Sequence, residues 1–337
     1  MEKKKVKKSK KFKIIAIVFI VLAVIIAVPY FYFNYQVGKV KTVSIPTSSK
    51  DLGINENIFK PKANTDDYVN ILLFGVDTRD VQNKKGSADS IMILTVDKFN
   101  KKMKLTSIMR DSIVDMQGRG EMQGFNQDRI NYSFDYGGAP LTIKTINENY
   151  QMNIKDYVKV DFVAMAKLID AVGGVPVNIT AEEIPVANSY IKEISKIEKT
   201  TPNYIKTPGL QTLNGVQAVG YCRIRYVGNM DFERTQRQRT VLTELFKKLS
   251  KTSLLDMPKL ADTILPNVET SLDKSDILSL ASYILMNKIS NIEQLRLPIE
   301  GSYRTIYVNN VYFLGWDKDT NIKKLHEFVF EGQNIDK

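Results

Sequence analysis

Apolar residues along this chain fall into three patterns: one long unbroken run, several short runs, and stripes with the period of a helix. The unbroken run covers residues 14–33, IIAIVFIVLAVIIAVPYFYF, twenty positions without a charge. At ~1.5 Å per residue it spans about 30 Å, the thickness of a bilayer's hydrocarbon layer. It is longer than the apolar core of a signal peptide and lacks a small-x-small cleavage site. It ends in Tyr30, Phe31, Tyr32, Phe33 and Tyr35, side chains that favour the headgroup region. The pattern predicts an uncleaved membrane anchor over 14–35. Residues 36–66, polar and carrying Pro46 and Pro61, read as a stalk.

The short runs predict strands. Residues 69–76 (VNILLFGV) are nearly continuously apolar, as a strand covered on both faces would be. Residues 90–96, 103–109, 157–161 and 175–179 follow. Helical periods predict helices at 139–150, after Gly137-Gly138, and at 162–172, stopped by Gly173-Gly174. Residues 180–210 lose the pattern and read as a mobile insertion. Helices at 231–250, 253–264 and 275–288 and strands at 292–297 and 303–308 complete the expected sheet. Strands alternating with helices predict an α/β sandwich around a central sheet, occupying residues 67–333.

Charge changes the picture less than its total implies. The net charge is +11, but the tail MEKKKVKKSKKFK at 1–13 carries +7, leaving +4 for the other 324 residues. A basic domain face for nucleic acid is therefore disfavoured. The same tail obeys the positive-inside rule, placing residues 1–13 in the cytoplasm and the body outside. One cysteine, Cys222, and one histidine, His326, exclude an intramolecular disulfide and a Cys/His zinc cluster. They also make a Ser-His-Asp triad improbable. Cys222 reads as a small buried apolar residue. So little cysteine in an external domain fits a Gram-positive surface.

What remains is carboxylate and arginine chemistry, clustered at predicted element ends. Asp77 and Arg79 follow the first strand, Asp89 precedes the second, and Arg110-Asp111 follow the third. Arg129 stands alone. Arg223 and Arg225 lead towards Asp231-Phe232-Glu233-Arg234-Thr235-Gln236-Arg237-Gln238. Ligands of open α/β sheets gather at strand ends, although a single Asp there is more often a cap. On the helix from about 231, Arg234 and Gln238 share a stripe with Val241, Leu245 and Leu249, so they point inward. An inward guanidinium needs an anion, and phosphate suits its planar fork. Arg237 and Arg239 lie off the stripe; Arg237 could reach a wide site, and Arg239 is expected to face solvent. Asp77 and Asp89 are candidates for holding a hard divalent cation over a diphosphate.

The segments ILLFGVDTR, ADSIMILTVD, LTSIMRDSIV, DRINYSFDYGG, LIDAVGGVPVNI, LNGVQAVGYCRIR and DFERTQRQ, in that order over 69–250, resemble the LytR-CpsA-Psr family of cell-envelope proteins. The resemblance implies a three-layer α/β/α sandwich with a central mixed sheet, behind one N-terminal transmembrane helix. It implies transfer of a glycopolymer, such as teichoic acid or capsule, from a polyprenyl-pyrophosphate carrier to peptidoglycan, assisted by Mg²⁺ or Mn²⁺. By motif, Asp77 and Asp89 correspond to metal carboxylates. Arg79, Arg110, Arg129, Arg223 and Arg225 correspond to pyrophosphate ligands, and Asp231, Arg234 and Gln238 to the remaining polar site residues. Asp77, Arg110 and Asp231 are the candidates for a part in the chemical step, Asp231 or Asp77 as base. Two positions depart from the family: Ser87 replaces a residue that is often basic, and Arg129 one that is often Lys. The expected partners are the lipid-linked polymer, peptidoglycan and the bilayer, with no nucleic acid. A polyprenyl-pyrophosphate phosphohydrolase, an envelope regulator of the transcriptional-attenuator type and a polyanion-binding module remain the rival readings.

Overall fold

The computed structural model describes residues 35, 38–59, 67–76, 88–116, 121–122, 125–228, 230–252, 260, 262–263 and 265–330. The apolar run at 14–33, most of the helix expected at 253–264, and Asp77, Arg79 and Ser87 lie outside them. Among the described residues no helix is long and apolar enough to cross a membrane.

The strands are β1 (Lys41–Thr42), β2 (Tyr68–Val76), β3 (Ala88–Asp97), β4 (Lys102–Ile108), β5 (Ile113–Asp115), β6 (Glu121–Met122) and β7 (Phe125–Arg129). They continue with β8 (Asp156–Asp161), β9 (Val175–Ile179), β10 (Gly209–Leu213), β11 (Val268–Thr270), β12 (Ile292–Leu297), β13 (Tyr303–Val308) and β14 (Val311–Trp316). After one turn at Glu56–Phe59, the helices are α1 (Tyr132–Tyr150), α2 (Phe162–Ala171), α3 (Glu183–Glu198), α4 (Gly215–Cys222), α5 (Met230–Ser250), α6 (Lys274–Met286) and α7 (Lys318–Val329).

Seven strands form the central sheet in the order β1-β11-β8-β2-β3-β4-β12. It is mixed: β2 runs parallel to β8 and β4 to β12, whereas β2-β3 and β3-β4 are antiparallel. Alternation along the strands decides what each face meets. Leu72, Phe74, Ile91 and Ile93 pack with Ile143, Ile146 and Tyr150 of α1 and Leu325 and Val329 of α7. Their neighbours Leu73, Met92, Val158 and Val160 face α2, α4 and α5 on the other side. Near-continuous apolar strands are thus required, because both faces are covered.

Several expectations are met closely. The helix at 139–150 is the main body of α1, set off by a kink at Gly138, which has φ of 63°. Asp161 caps α2 by accepting from the Ala164 N–H. Cys222 is buried, as expected of a small apolar residue.

Three expectations are corrected. Residues 180–210 are no mobile insertion: they hold α3, whose Ala187, Ile191 and Ile194 are buried at helical spacing. The strand at 175–179 forms, but it pairs only with β10 in a two-stranded ribbon outside the central sheet. The strand at 303–308 likewise does not complete that sheet. It pairs with β14 across Asn309-Asn310, both with positive φ (48° and 63°), as a tight hairpin turn requires. The described sheet edge beyond β4 is β12 alone.

Candidate functional site

The helix α5 presents Asp231, Arg234 and Gln238 towards the body because Val241 and Leu245 below them are buried in the core. Arg234 is only 3% exposed. Its Nη2 donates to Asp231 Oδ2 at 3.0 Å and to the Asp89 carbonyl at 3.4 Å. Its Nε is buried without a hydrogen-bond partner. Burial lowers its pKa to about 10, with Asp231 opposing the shift, so the group is still a cation near neutrality. A buried guanidinium with an unused donor is a place where an anion would be stabilised.

The strand ends bring the remaining charges to the same place. Arg110, just beyond β4, donates Nε to Asp231 Oδ2 at 3.0 Å and binds the Asp89 carboxylate through Nη1. Burial opposes its charge, but Asp231, Asp89 and Asp111 outweigh that and raise its pKa. Asp111 lies 3.6 Å from Arg110 and 3.5 Å from Arg129. Burial nevertheless raises the Asp111 pKa against the pull of Arg110. Val76 pairs with Ala88 across β2 and β3, so the chain positions preceding Asp77 and Asp89 are neighbours.

Arg223 and Arg225 leave the C-terminal end of α4. This helix can lie against α2 only because Gly215 has no side chain: a Cβ there would sit 2.0 Å from the Ala166 carbonyl oxygen. Arg223 is held between rings, its Cζ 4.6 Å from the Tyr190 centroid and 5.2 Å from that of Phe162. It also reaches Glu193 at 3.3 Å. Arg225 lies 3.5 Å from the Asp89 carboxylate.

The result is a pocket of about 60 Å³ whose lining includes Asp89, Arg223, Arg225, Arg234 and Gln238. Arg110 and Asp231 border it through their bonds to Asp89 and Arg234. Arg129 stands one step back, joined to Arg110 through Asp111 and stacked on Tyr132 with Cζ 4.5 Å from the ring centroid. Asp77 and Arg79 lie outside the described residues. Among the described residues, no three His, Cys, Asp or Glu side chains gather as a metal site.

Next to the polar pocket lies a second cavity of about 220 Å³. Its walls are the sheet face carrying Leu73 and Met92 and the helix side chains Met165, Val219, Leu242 and Leu249. Phe162, Cys222 and Gln238 line both cavities, so an anion bound at the arginines would have an apolar chamber directly behind it. Nothing in the apolar pattern of the sequence marks this chamber.

The sequence profile of the LytR_cpsA_psr family matches residues 30–327. The chain belongs to the LytR_cpsA_psr family. Regulatory protein MsrR of Staphylococcus aureus is 29% identical over 287 residues, covering 84% of this chain and 80% of MsrR. Polyisoprenyl-teichoic acid–peptidoglycan teichoic acid transferase TagV of Bacillus subtilis is 30% identical over 263 residues, 77% of this chain and 63% of TagV. The crystal structure of TagV superposes with a TM-score of 0.61, covering 78% of this chain and 96% of that one. TagT with bound octaprenyl pyrophosphate lipid superposes with a TM-score of 0.60 at 21% identity, covering 86% and 99%. That likeness establishes a shared fold with a central mixed sheet.

Within this LytR_cpsA_psr site two arginines differ from expectation. Arg239 does not face solvent: it is 5% exposed, binds Ser107 and Gln236, and reaches Gln294 at 3.3 Å. Its side chain turns sideways into the crevice between α5 and strands β4 and β12, a place invisible to a stripe defined by apolar residues. Arg237 does not reach the pocket either. Its Nε donates to Glu183 at 2.7 Å and its Nη groups to the carbonyls of Ile224 and Val227.

Proposed function

We propose that this chain is a membrane-anchored phosphotransferase that moves a glycopolymer from a polyprenyl-pyrophosphate carrier to peptidoglycan outside the cell. The observation that carries the reading is the junction of an arginine-lined pocket with an apolar chamber through Phe162, Cys222 and Gln238. A pyrophosphate bearing a long apolar chain needs both, side by side. The names of relatives agree: TagV is a teichoic acid transferase, and TagT has been seen with octaprenyl pyrophosphate.

In this reading Arg223, Arg225 and Arg234 bind the pyrophosphate oxygens, with Arg79 completing the set. Gln238 donates at the seam between pocket and chamber. Arg110 supports Asp89 and Asp231 and meets charge that develops on the transferred phosphoryl group. Arg129 orders Asp111 and thereby Arg110. The acceptor hydroxyl attacks the phosphorus attached to the polymer, and polyprenyl phosphate departs as the P–O bond breaks. Asp231, or Asp77, takes the hydroxyl proton. Mg²⁺, or Mn²⁺, fits the donor set because Asp89 offers hard carboxylate oxygens beside the anion site, with Asp77 as the second ligand. When bound it would neutralise pyrophosphate charge.

The test is the fate of the polymer's phosphorus. Full-length protein in detergent, given polyprenyl-pyrophosphate-linked polymer with radiolabelled phosphorus, should form a phosphodiester-linked product only when peptidoglycan strands are added. Release of free phosphorylated polymer at a rate indifferent to peptidoglycan would make the protein a hydrolase. Topology has its own test: a reporter fused after Lys337 should be active only outside the cytoplasm.

A further inference from the structure

The polar pocket has two sides, and the apolar chamber occupies one of them. The charges that border the pocket, Arg110, Asp111 and Asp231, meet the β13-β14 hairpin at Leu314 and Tyr312 and continue into Phe232, the residue after Asp231. The hairpin is fixed there by its own bonds. The Leu314 N–H donates to the Asp111 carbonyl at 2.9 Å, and Trp316 Nε1 donates to the Ile113 carbonyl at 2.7 Å. Trp316 also stacks flat on buried Tyr150, with centroids 4.5 Å apart.

From this root an aromatic row runs outward. Phe232 and Tyr303 lie with centroids 4.8 Å apart at 31°, and the Arg296 guanidinium covers Phe232 at 4.5 Å. The strand register pairs Tyr307 directly with Tyr312, so both rings stand on the face that also carries Tyr303. Their centroids are 6.0 Å apart, and Tyr307 is 69% exposed. Burial first, and then the charges of Asp111 and Asp231, hold the Tyr312 phenol above its ordinary pKa, in keeping with its place beside the pocket. Exposed polar residues Asn309 and Asn310 form the turn at the end of the row.

We propose that this row, Tyr303, Tyr307 and Tyr312 with Phe232, is the docking surface for the saccharide strand of the acceptor. A pyranose ring has a C–H face that lies on an aromatic ring and an edge of hydroxyls that needs polar partners. Rigid rings with hydroxyl edges and a polar turn at their end match that chemistry. The position decides the occupant: the row lies beside Asp111 and Asp231, and none of its residues lines the chamber left for the lipid.

The inference rests on the acceptor reading above, and its test separates the two. An N-acetylglucosamine tetrasaccharide and soluble, uncrosslinked glycan strands are titrated into full-length protein in detergent. Tyr307→Ala should weaken saccharide binding at least fivefold and raise the acceptor KM by a similar factor, with kcat unchanged. Tyr307→Trp should restore both, and octaprenyl-pyrophosphate binding should be the same in all three proteins. Saccharide binding lost in Tyr307→Ala in a protein that transfers nothing would support the surface while overturning the transferase reading. Equal saccharide binding in wild type and Tyr307→Ala, or none in either, overturns the surface.

Discussion

Arg237 donates from Nη1 to the carbonyl oxygen of Ile224 at 3.2 Å, thirteen residues away in sequence. Ile224 lies between Arg223 and Arg225, so a side chain that never enters the pocket holds the segment that supplies two of its cations. The other two donations, to Val227 at 3.1 Å and to Glu183 at 2.7 Å, clamp the same segment to α3. Arg237→Lys keeps the charge and loses the fork. It should lower stability by about 1–3 kcal/mol in denaturant unfolding, the cost of buried polar groups left unpaired. It should also weaken pyrophosphate-lipid binding, because Arg223 and Arg225 are no longer held. Unchanged stability and affinity would show that Arg237 does not clamp this segment.

Arg234 and Arg239 sit five positions apart on one helix, both buried, and should fail differently. Arg234→Lys should cost tenfold or more in affinity of the folded protein for pyrophosphate lipid, on top of the stability lost with its Nη2 bonds to Asp231 and the Asp89 carbonyl. Arg239→Lys should cost about 1–3 kcal/mol of stability by breaking the brace from α5 to Ser107 and Gln294, and leave the affinity of the folded protein near wild type. Isothermal titration and denaturant melts on both variants decide this. Matching profiles would show that the two arginines share a role.

The apolar chamber should be selective for chain length. Leu242→Trp places a larger side chain on its wall and should weaken binding of octaprenyl pyrophosphate much more than of inorganic pyrophosphate. Equal effects on the two ligands would mean that the chamber does not take the lipid.

Cys222 gives a pH-dependent readout of the same place. Burial pushes its thiol up to about 12, with Arg237 opposing the shift. A raised acid pKa favours the neutral thiol, so the thiolate that reacts with alkylating agents stays scarce as pH climbs through 9. Native protein at pH 9 should therefore label far more slowly with iodoacetamide than denatured protein. Because Cys222 lines both cavities, octaprenyl pyrophosphate should slow labelling further. Rapid native labelling that the lipid does not affect would contradict both the burial and the assignment.

The division between sequence and tertiary structure is visible in single residues. Apolar rhythm alone located β2, β3, β4, β8, β12, α2 and α5, because an element buried on one or both faces must write its period into the chain. The same rhythm aimed Arg234 and Gln238 inward, and the order of seven short motifs was enough to mark the family and the arginines of the pocket. Rhythm did not say which sheet a strand joins: β9 and β13 read like sheet strands, but β9 pairs with β10 beyond α3, and β13 pairs with β14 across a tight turn. It misjudged α3, whose buried stripe of Ala187, Ile191 and Ile194 is diluted by charged and polar neighbours. It sent Arg239 to solvent, because a long flexible side chain can turn from the flank of a helix into a crevice that exists only once β4 and β12 are in place. The apolar chamber was least legible of all. Leu73, Met92, Val219 and Leu242 are the residues a solid core would use, and whether they meet one another or leave about 220 Å³ between them is set by the distance from helix to sheet. That distance comes from contacts far apart in sequence, which no local pattern records.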